Sequence, residues 1–129
     1  MLKLGLHTAA PTAFAMAGVK PTDMDVLEIY DCFTYVVMGW RRSGSPSPAG
    51  ARSSWPTATA SKLGSRYPMN THGGLLSQGH CWGLNHVVEA TRQLRHDAGR
   101  AGARRRLALV TGYGDLGDSS LAILARGDR

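Results

Sequence analysis

The feature that most constrains the fold is an alternation of apolar strand-like segments with helical ones. Residues 26–30 and 107–110 have the aliphatic and branched composition of buried strands, and 119–124 has the composition of a last strand. A helical segment beginning near Gly83 separates the first strand from the other two. The resulting order, α-β-α-loop-α-β-β, predicts an α/β layered domain.

Local signals set the expected ends of the helices. Thr12 is a suitable N-cap and Gly18 a suitable C′ residue for a helix over 12–17. Asp31 is predicted to cap a helical run over 33–38, which places Tyr30 at a strand-to-helix junction. The last helix has an apolar face of the kind that packs against a core. That face comprises Leu84, Val87, Val88, Thr91 and Leu94.

The net charge is +6 and the pI about 9.9, but no acid lies between Cys32 and Val88. Basic residues are not interleaved with aromatic ones, so nucleic-acid binding is disfavoured.

No apolar segment is long enough to span a bilayer, and the N-terminus lacks the core of a secretory signal. Two cysteines form neither a disulfide framework nor a zinc pattern, so we expect a cytoplasmic protein with no metal and no cofactor.

Residues 40–62 have a different composition from the rest of the chain. They are rich in Ser, Pro, Ala and Thr, carry no acid and show no apolar period. Two explanations stay open: a variable loop, or a stretch read out of frame between two compensating frameshifts. Resequencing the gene distinguishes them, because an unambiguous in-frame read excludes the frameshifts.

Three motifs carry a family resemblance. Residues 30–34 read Tyr-Asp-Cys-Phe-Thr, 70–83 read Asn-Thr-His-Gly-Gly…Gly-His-Cys-Trp-Gly, and 110–117 read Val-Thr-Gly-Tyr-Gly-Asp-Leu-Gly. In order and spacing they resemble three blocks of the thiolase superfamily, especially its sterol-carrier and lipid-transfer members and the aldolases that shorten steroid side chains. The resemblance implies the C-terminal half of a layered αβαβα fold over 1–129, with 40–62 as an atypical loop.

The same resemblance implies a catalytic site of His80, Tyr30 and Tyr113 at the ends of adjacent strands. His80 corresponds to the imidazole of the Gly-His block, which suits proton transfer near neutral pH. Tyr30 stands where relatives have His or Asn, and either donates a hydrogen bond, takes a proton, or is a core tyrosine. Thr111 occupies the acid/base cysteine position and forms no thiolate, so Tyr113 is a candidate replacement; packing of its ring is the alternative.

The pocket is expected to hold the thioester through five further residues. By resemblance these are Asn70, Gly73, Gly74, Gly112 and Gly114. Neither Cys32 nor Cys81 matches the nucleophile, which in thiolases belongs to an N-terminal half. Cys32 is expected to be a small buried residue, and Cys81 to have at most minor reactivity beside His80.

Two functions follow from the resemblance. One is the C-terminal part of an acyl-CoA enzyme that performs acyl transfer or retro-aldol cleavage of a C–C bond, with acyl-CoA as substrate. The other is a non-catalytic fragment that binds lipid or acyl-CoA or docks on a partner. Without the N-terminal half or an equivalent subunit, the isolated chain is expected to be inactive and to self-associate.

Overall fold

The computed structural model describes residues 5–37, 66–98, 105–114 and 118–127. The atypical segment at 40–62 and the centre of the Gly-rich turn at 115–117 lie outside the described residues, so the predictions made for them stay predictions. The described residues form a small α/β domain around one mixed sheet, as the sequence predicts.

The sheet has three strands in the order β1 (Val26–Glu28), β2 (Leu107–Tyr113) and β3 (Ser119–Ala125). β1 runs parallel to β2, with Glu28 opposite Val110, and β2 is antiparallel to β3. All three lie where the sequence predicts strands. β2 is longer than expected, because its antiparallel pairing with β3 continues through Gly112 and Tyr113, which were predicted to belong to a Gly-rich turn.

A short extended segment borders β1 on its other side. Leu27 N donates to Pro68 O and Asn70 N donates to Leu27 O, and each donor–acceptor distance is 2.9 Å. β1 is therefore paired along both edges, and its carboxyl end lies between the turn that follows residue 70 and the adjacent strand β2. This arrangement places the first and second motifs side by side.

The first helix, α1 (Leu6–Ala17), begins six residues before the predicted start. Thr12 is not its N-cap: Thr12 Oγ1 donates to Thr8 O over 3.3 Å, as hydroxyls inside helices commonly do. The cap signal was misleading because Leu6, Ala10 and Phe14, spaced four apart, bury one continuous stripe. Gly18 ends the helix with φ of 65°, as predicted.

The last helix, α3 (Leu84–Arg95), follows a five-residue helix, α2 (Gly74–Gln78), that the sequence did not predict. The predicted helix is confirmed, and Leu94 of its predicted apolar face is buried, but Leu84, Val87 and Val88 of that face are exposed. Leu84 is 68% exposed and Val88 58%, while Glu89 and Gln93 are buried. The side of α3 that carries Glu89 and Gln93 faces inward because buried hydrogen-bonding partners lie there, as described below.

The helices cover opposite faces of the sheet. α1 packs on an apolar cluster, and α3 packs on a smaller apolar cluster together with buried polar groups. The cluster under α1 includes Leu6, Phe14, Leu27, Ile29 and Leu109. The cluster under α3 comprises Val26, Ala90, Leu94, Ala108 and Val110. This helix–sheet–helix stack is the layered arrangement that the sequence predicts.

Asp31 has a contact that its prediction as a helix cap did not include. Its carboxylate accepts a hydrogen bond from Leu75 N, 3.0 Å away in the first turn of α2. Gly74 makes this approach possible, since its φ is 72° and a Cβ there would collide with the Asp31 carboxylate. Asp31 thus joins the first motif to the second.

Candidate functional site

Tyr30 lies just beyond the end of β1 and is 4% exposed. Its backbone N–H donates to Thr111 Oγ1 over 2.9 Å, so the residue at the family's cysteine position fixes the Tyr30 backbone. The Tyr30 ring lies against the backbone of Gly83, where a Cβ would come within 3.1 Å of the ring. A glycine before α3 is therefore required by the position of Tyr30.

The Tyr30 hydroxyl lies 2.7 Å from His80 Nε2. The two rings meet edge to face at 5.8 Å, and the His80 ring in turn packs against Trp82 at 4.9 Å. His80 is exposed on its outer side. Two candidate catalytic residues, 50 positions apart in the chain, therefore share one hydrogen bond at the carboxyl end of the sheet.

The environment of Tyr30 shifts the pKa of its phenol upward. Burial raises the pKa of the Tyr30 phenol above its ordinary value, and the neighbouring Cys32 and Asp31 groups raise that pKa further. A phenol held in this way keeps its proton near neutral pH. Its chemistry is that of a hydrogen-bond donor rather than of a tyrosinate base.

Tyr113 lies in a neighbouring aromatic group. Its hydroxyl is 2.7 Å from the Tyr35 hydroxyl, and Phe33 stacks on Tyr35 at 5.6 Å. The Tyr113 ring packs against the apolar cluster under α1, whereas the ring contacts of Tyr30 come from His80 and from His86 of α3. The structure thus brings Tyr30 and His80 together and places Tyr113 on the other side of the sheet.

The predicted thioester-binding residues have structural roles. Asn70 Oδ1 accepts from Ile29 N over 2.7 Å and its Nδ2 donates to Ile29 O over 2.9 Å, so the side chain acts as a strand partner. Gly73 N donates to Asn70 O, and Gly112 pairs with Ser120 in the hairpin. The Gly114 N–H closes that hairpin on Asp118 O, so it is engaged in the protein's own backbone.

A buried polar network under α3 was missed by the sequence analysis. Thr71 is its centre: both its N–H and its hydroxyl contact Glu28 Oε1, at 3.1 and 2.9 Å. The same hydroxyl lies 2.6 Å from Glu89 Oε1 and accepts from Gln93 Nε2. Arg105 NH1 donates to Gln93 Oε1. An acid inside an apolar strand segment, Glu28, was the available signal.

Two histidines without a predicted role border this network. His72 Nδ1 lies 3.0 Å from Glu28 Oε2, and His86 Nε2 lies 3.2 Å from Asp31 Oδ1. Burial lowers the pKa of His72, but the Glu28 carboxylate outweighs burial, so the net shift of that pKa is upward. The pKa of His86 is lowered by burial and by its neighbour His72. One histidine lies in a turn and the other in α3, and no periodic pattern in the sequence indicates that they are close in space.

A cleft of about 660 Å³ opens along the outer side of α3 beside the second motif. Its wall includes His72 and Glu89 from the polar network and the apolar Leu84 and Val88 from the exposed face of α3. Cys81, which is exposed, also lines it. The polar network therefore reaches the surface through an opening with a partly apolar rim.

With this geometry in view, comparison with known proteins decides the family. Residues 1–126 match the family model described as thiolase C-terminal domain-like. This chain belongs to that family.

Relatives in the family include several lipid and steroid proteins. The chain is 37% identical to sterol carrier protein 2 of Gallus gallus over 118 residues, covering 82% of this chain and 20% of that protein. It is 32% identical to the 17-hydroxy-3-oxo-4-pregnene-20-carboxyl-CoA lyase of Mycobacterium tuberculosis over 82 residues, covering 64% of this chain and 21% of the lyase. The chain thus spans about a fifth of the length of these relatives.

The solved structure of the Ltp2-ChsH2(DUF35) aldolase superposes on this chain with a TM-score of 0.79 and 26% identity. The match covers 96% of this chain and 32% of the aldolase chain. The small α/β domain described above is therefore the fold of a thiolase C-terminal domain. Among the described residues, none of the helices has the length and apolar character needed to cross a membrane.

Proposed function

We propose that this chain is the C-terminal part of a thiolase-like enzyme that acts on the acyl end of a CoA thioester, by acyl transfer or by retro-aldol cleavage of a C–C bond. The observation that carries the proposal is the 2.7 Å contact between the Tyr30 hydroxyl and His80 Nε2. The names of the relatives, which include a carboxyl-CoA lyase and an acetyl-CoA acetyltransferase, support the substrate class.

The pair has a defined chemical capacity. With Nε2 protonated, His80 donates to the Tyr30 oxygen, and the phenol hydrogen is then free to donate to a carbonyl or enolate oxygen. Such donors stabilise the negative charge that develops on oxygen when a C–C bond next to a carbonyl forms or breaks. The raised pKa of Tyr30 keeps this hydrogen in place. The nucleophile or base on the other side of the substrate would come from an N-terminal half or a partner subunit.

The test compares acetyl-CoA with free CoA in binding titrations. The samples are the 129-residue chain alone and, where upstream DNA encodes an in-frame N-terminal half, the two together. We expect Tyr30→Phe to weaken the binding of acetyl-CoA roughly fivefold more than the binding of free CoA. That factor corresponds to the loss of one hydrogen bond of about 1 kcal/mol. Tyr67→Phe, a tyrosine outside the pair, is the matched control and should leave the preference unchanged. An equal preference in wild type and Tyr30→Phe contradicts the proposal.

The upstream DNA also separates the two reactions. An N-terminal half with a nucleophilic cysteine supports acyl transfer, and one without it supports the aldolase or a binding role. Under either reaction we expect the protein to be cytoplasmic.

A second candidate function is supported by the exposed apolar face of α3. Leu84, Val88 and the neighbouring Trp82 are 68%, 58% and 84% exposed, and the chain spans a fifth of its relatives. A non-catalytic fragment that binds lipid or acyl-CoA or docks through this face on a partner also fits these observations. Sedimentation of the purified chain tests the face: we expect self-association when no partner is present, and a monodisperse, cooperatively folding monomer would count against it.

A further inference from the structure

We propose that Glu28, His72 and His86 form a buried binding site for one divalent transition-metal ion of the zinc class. One ligand atom from each residue lies within 4.8 Å of the others. The residues come from β1, from the turn before α2 and from α3, so no spacing rule in the sequence indicates them. The site adjoins the Tyr30–His80 pair, because the His86 and Tyr30 ring centres are 6.0 Å apart, but the proposal does not depend on the function proposed above.

Two of the donor atoms are buried and face each other at close range. Glu28 Oε2 and His72 Nδ1 lie 3.0 Å apart. Both are buried, and among the described residues neither has a partner in hydrogen-bonding geometry. In a tetrahedral zinc site with bonds of about 2.0–2.1 Å, neighbouring ligand atoms lie roughly 3.3 Å apart. The observed separation is close to that distance.

The remaining atoms of these side chains are held by neighbours. Glu28 Oε1 accepts from Thr71 N and from its hydroxyl, which leaves Oε2 for an ion. His86 Nδ1 lies 3.2 Å from Asn85 Oδ1, which leaves His86 Nε2, 3.2 Å from Asp31 Oδ1, as the ligand atom. His72 Nε2 lies 3.4 Å from Asn85 Nδ2, which leaves His72 Nδ1. Such contacts orient ligands around protein-bound metals.

The donor set and its surroundings select the kind of ion. Two imidazoles and one carboxylate suit zinc and its first-row neighbours better than calcium or magnesium, which prefer oxygen. Glu28 is fully buried and Glu89 lies on the same Thr71 hydroxyl, so a cation there would offset two carboxylates. His72 lines the cleft along α3, which provides a path for the ion. Bound there, the ion would tie β1 to α3 beneath Tyr30.

The experiment titrates the full chain with zinc in competition with a chromophoric chelator, and follows thermal unfolding with and without zinc. We expect one ion per chain and a higher Tm when it is bound. His72→Gln and His86→Gln should each weaken binding at least about tenfold. Matched controls are His96→Gln, a histidine outside the site, and Cys81→Ser, which removes an exposed thiol beside His80. Both should bind zinc as the wild type does.

The absorption spectrum of the wild-type chain with bound cobalt tests the ligand set without any variant. A site of two nitrogens and one oxygen predicts no thiolate-to-cobalt charge-transfer band. If either histidine variant fails to fold by circular dichroism, the other variant and this spectrum decide. The proposal is overturned if the wild type shows no saturable binding, if Cys81→Ser abolishes binding while His86→Gln keeps it, or if the cobalt spectrum shows thiolate ligation.

Discussion

The two faces of the sheet are stabilised in different ways. Under α1 the contacts are apolar, between side chains such as Phe14, Ile29 and Leu109. Under α3 a small apolar cluster adjoins a network in which Glu28, Thr71 and Gln93 are hydrogen-bonded to one another or to their neighbours. The first face needs only volume and burial, while the second needs every partner present. The Tyr30–His80 pair lies on the second face, so the site depends on the more demanding side.

The largest effect is expected from Arg105→Met. Arg105 is 5% exposed, and burial lowers the pKa of its guanidinium while Glu28, Asp25 and Glu89 raise it. Its removal leaves the buried Gln93 Oε1 without this donor and takes a positive charge away from three acids, a change expected to cost about 3 kcal/mol. Denaturant unfolding followed by circular dichroism measures it. Arg95→Met, on the exposed side of α3, should stay within about 0.5 kcal/mol. Equal losses in both variants would show that the polar face is not integral to the fold.

On the apolar face, Leu109→Ala is expected to cost about 3 kcal/mol of unfolding free energy, through lost burial and the cavity left behind. Leu109 is 1% exposed in the middle of β2. Val88→Ala on the outer face of α3 is the matched control and should change stability by less than about 0.5 kcal/mol. A large loss in Val88→Ala would mean that the apolar side of α3 faces inward after all.

Gly74→Ala is expected to cost about 2 kcal/mol, because an alanine there must adopt a left-handed backbone and its Cβ would push the Asp31 carboxylate from Leu75. Gly18→Ala has a similar φ of 65° but nothing within 4 Å of the added Cβ. Its loss should be smaller, and the difference between the two variants isolates the Asp31 contact. Identical losses would remove Asp31 as the link between the motifs.

The smallest predicted effect appears only at high pH. The folded state raises the pKa of Tyr30, whereas the unfolded chain releases that proton near pH 10. The contribution of the protonated phenol to stability is therefore complete below about pH 10 and is lost as the pH rises through the folded-state pKa. As the pH rises above about 10, the wild type should therefore lose stability relative to Tyr30→Phe. A constant difference between the two would indicate an unperturbed phenol.

The sequence predicted one face of the sheet much better than the other. The three strands, Gly18 at the end of α1 and the existence of α3 follow from apolar composition and turn residues. The orientation of α3 did not, because Leu84, Val87 and Val88 form the apolar stripe that a helical period detects, while its buried side depends on partners such as Thr71 and Arg105. Pairwise polar contacts between distant residues leave no period in a sequence.

The site divides in the same way. Motif order predicted that residues 30 and 80 belong together, and the structure places Tyr30 and His80 in contact. Asn70 and Gly114 were assigned to the substrate, although their polar groups pair with Ile29 and with Asp118. A motif identifies which residues are near the site but not which of their atoms are already occupied by the fold.

The most direct test of the central claim is a double-mutant cycle on the preference for acetyl-CoA over free CoA, using Tyr30→Phe, His80→Ala and the double variant. If one shared hydrogen bond is responsible for the preference for acetyl-CoA, each single substitution should reduce that preference roughly fivefold. The double variant should then show no greater reduction than the single variant with the lower preference. Losses that multiply, or a preference that none of the variants alters, would contradict a joint role for Tyr30 and His80.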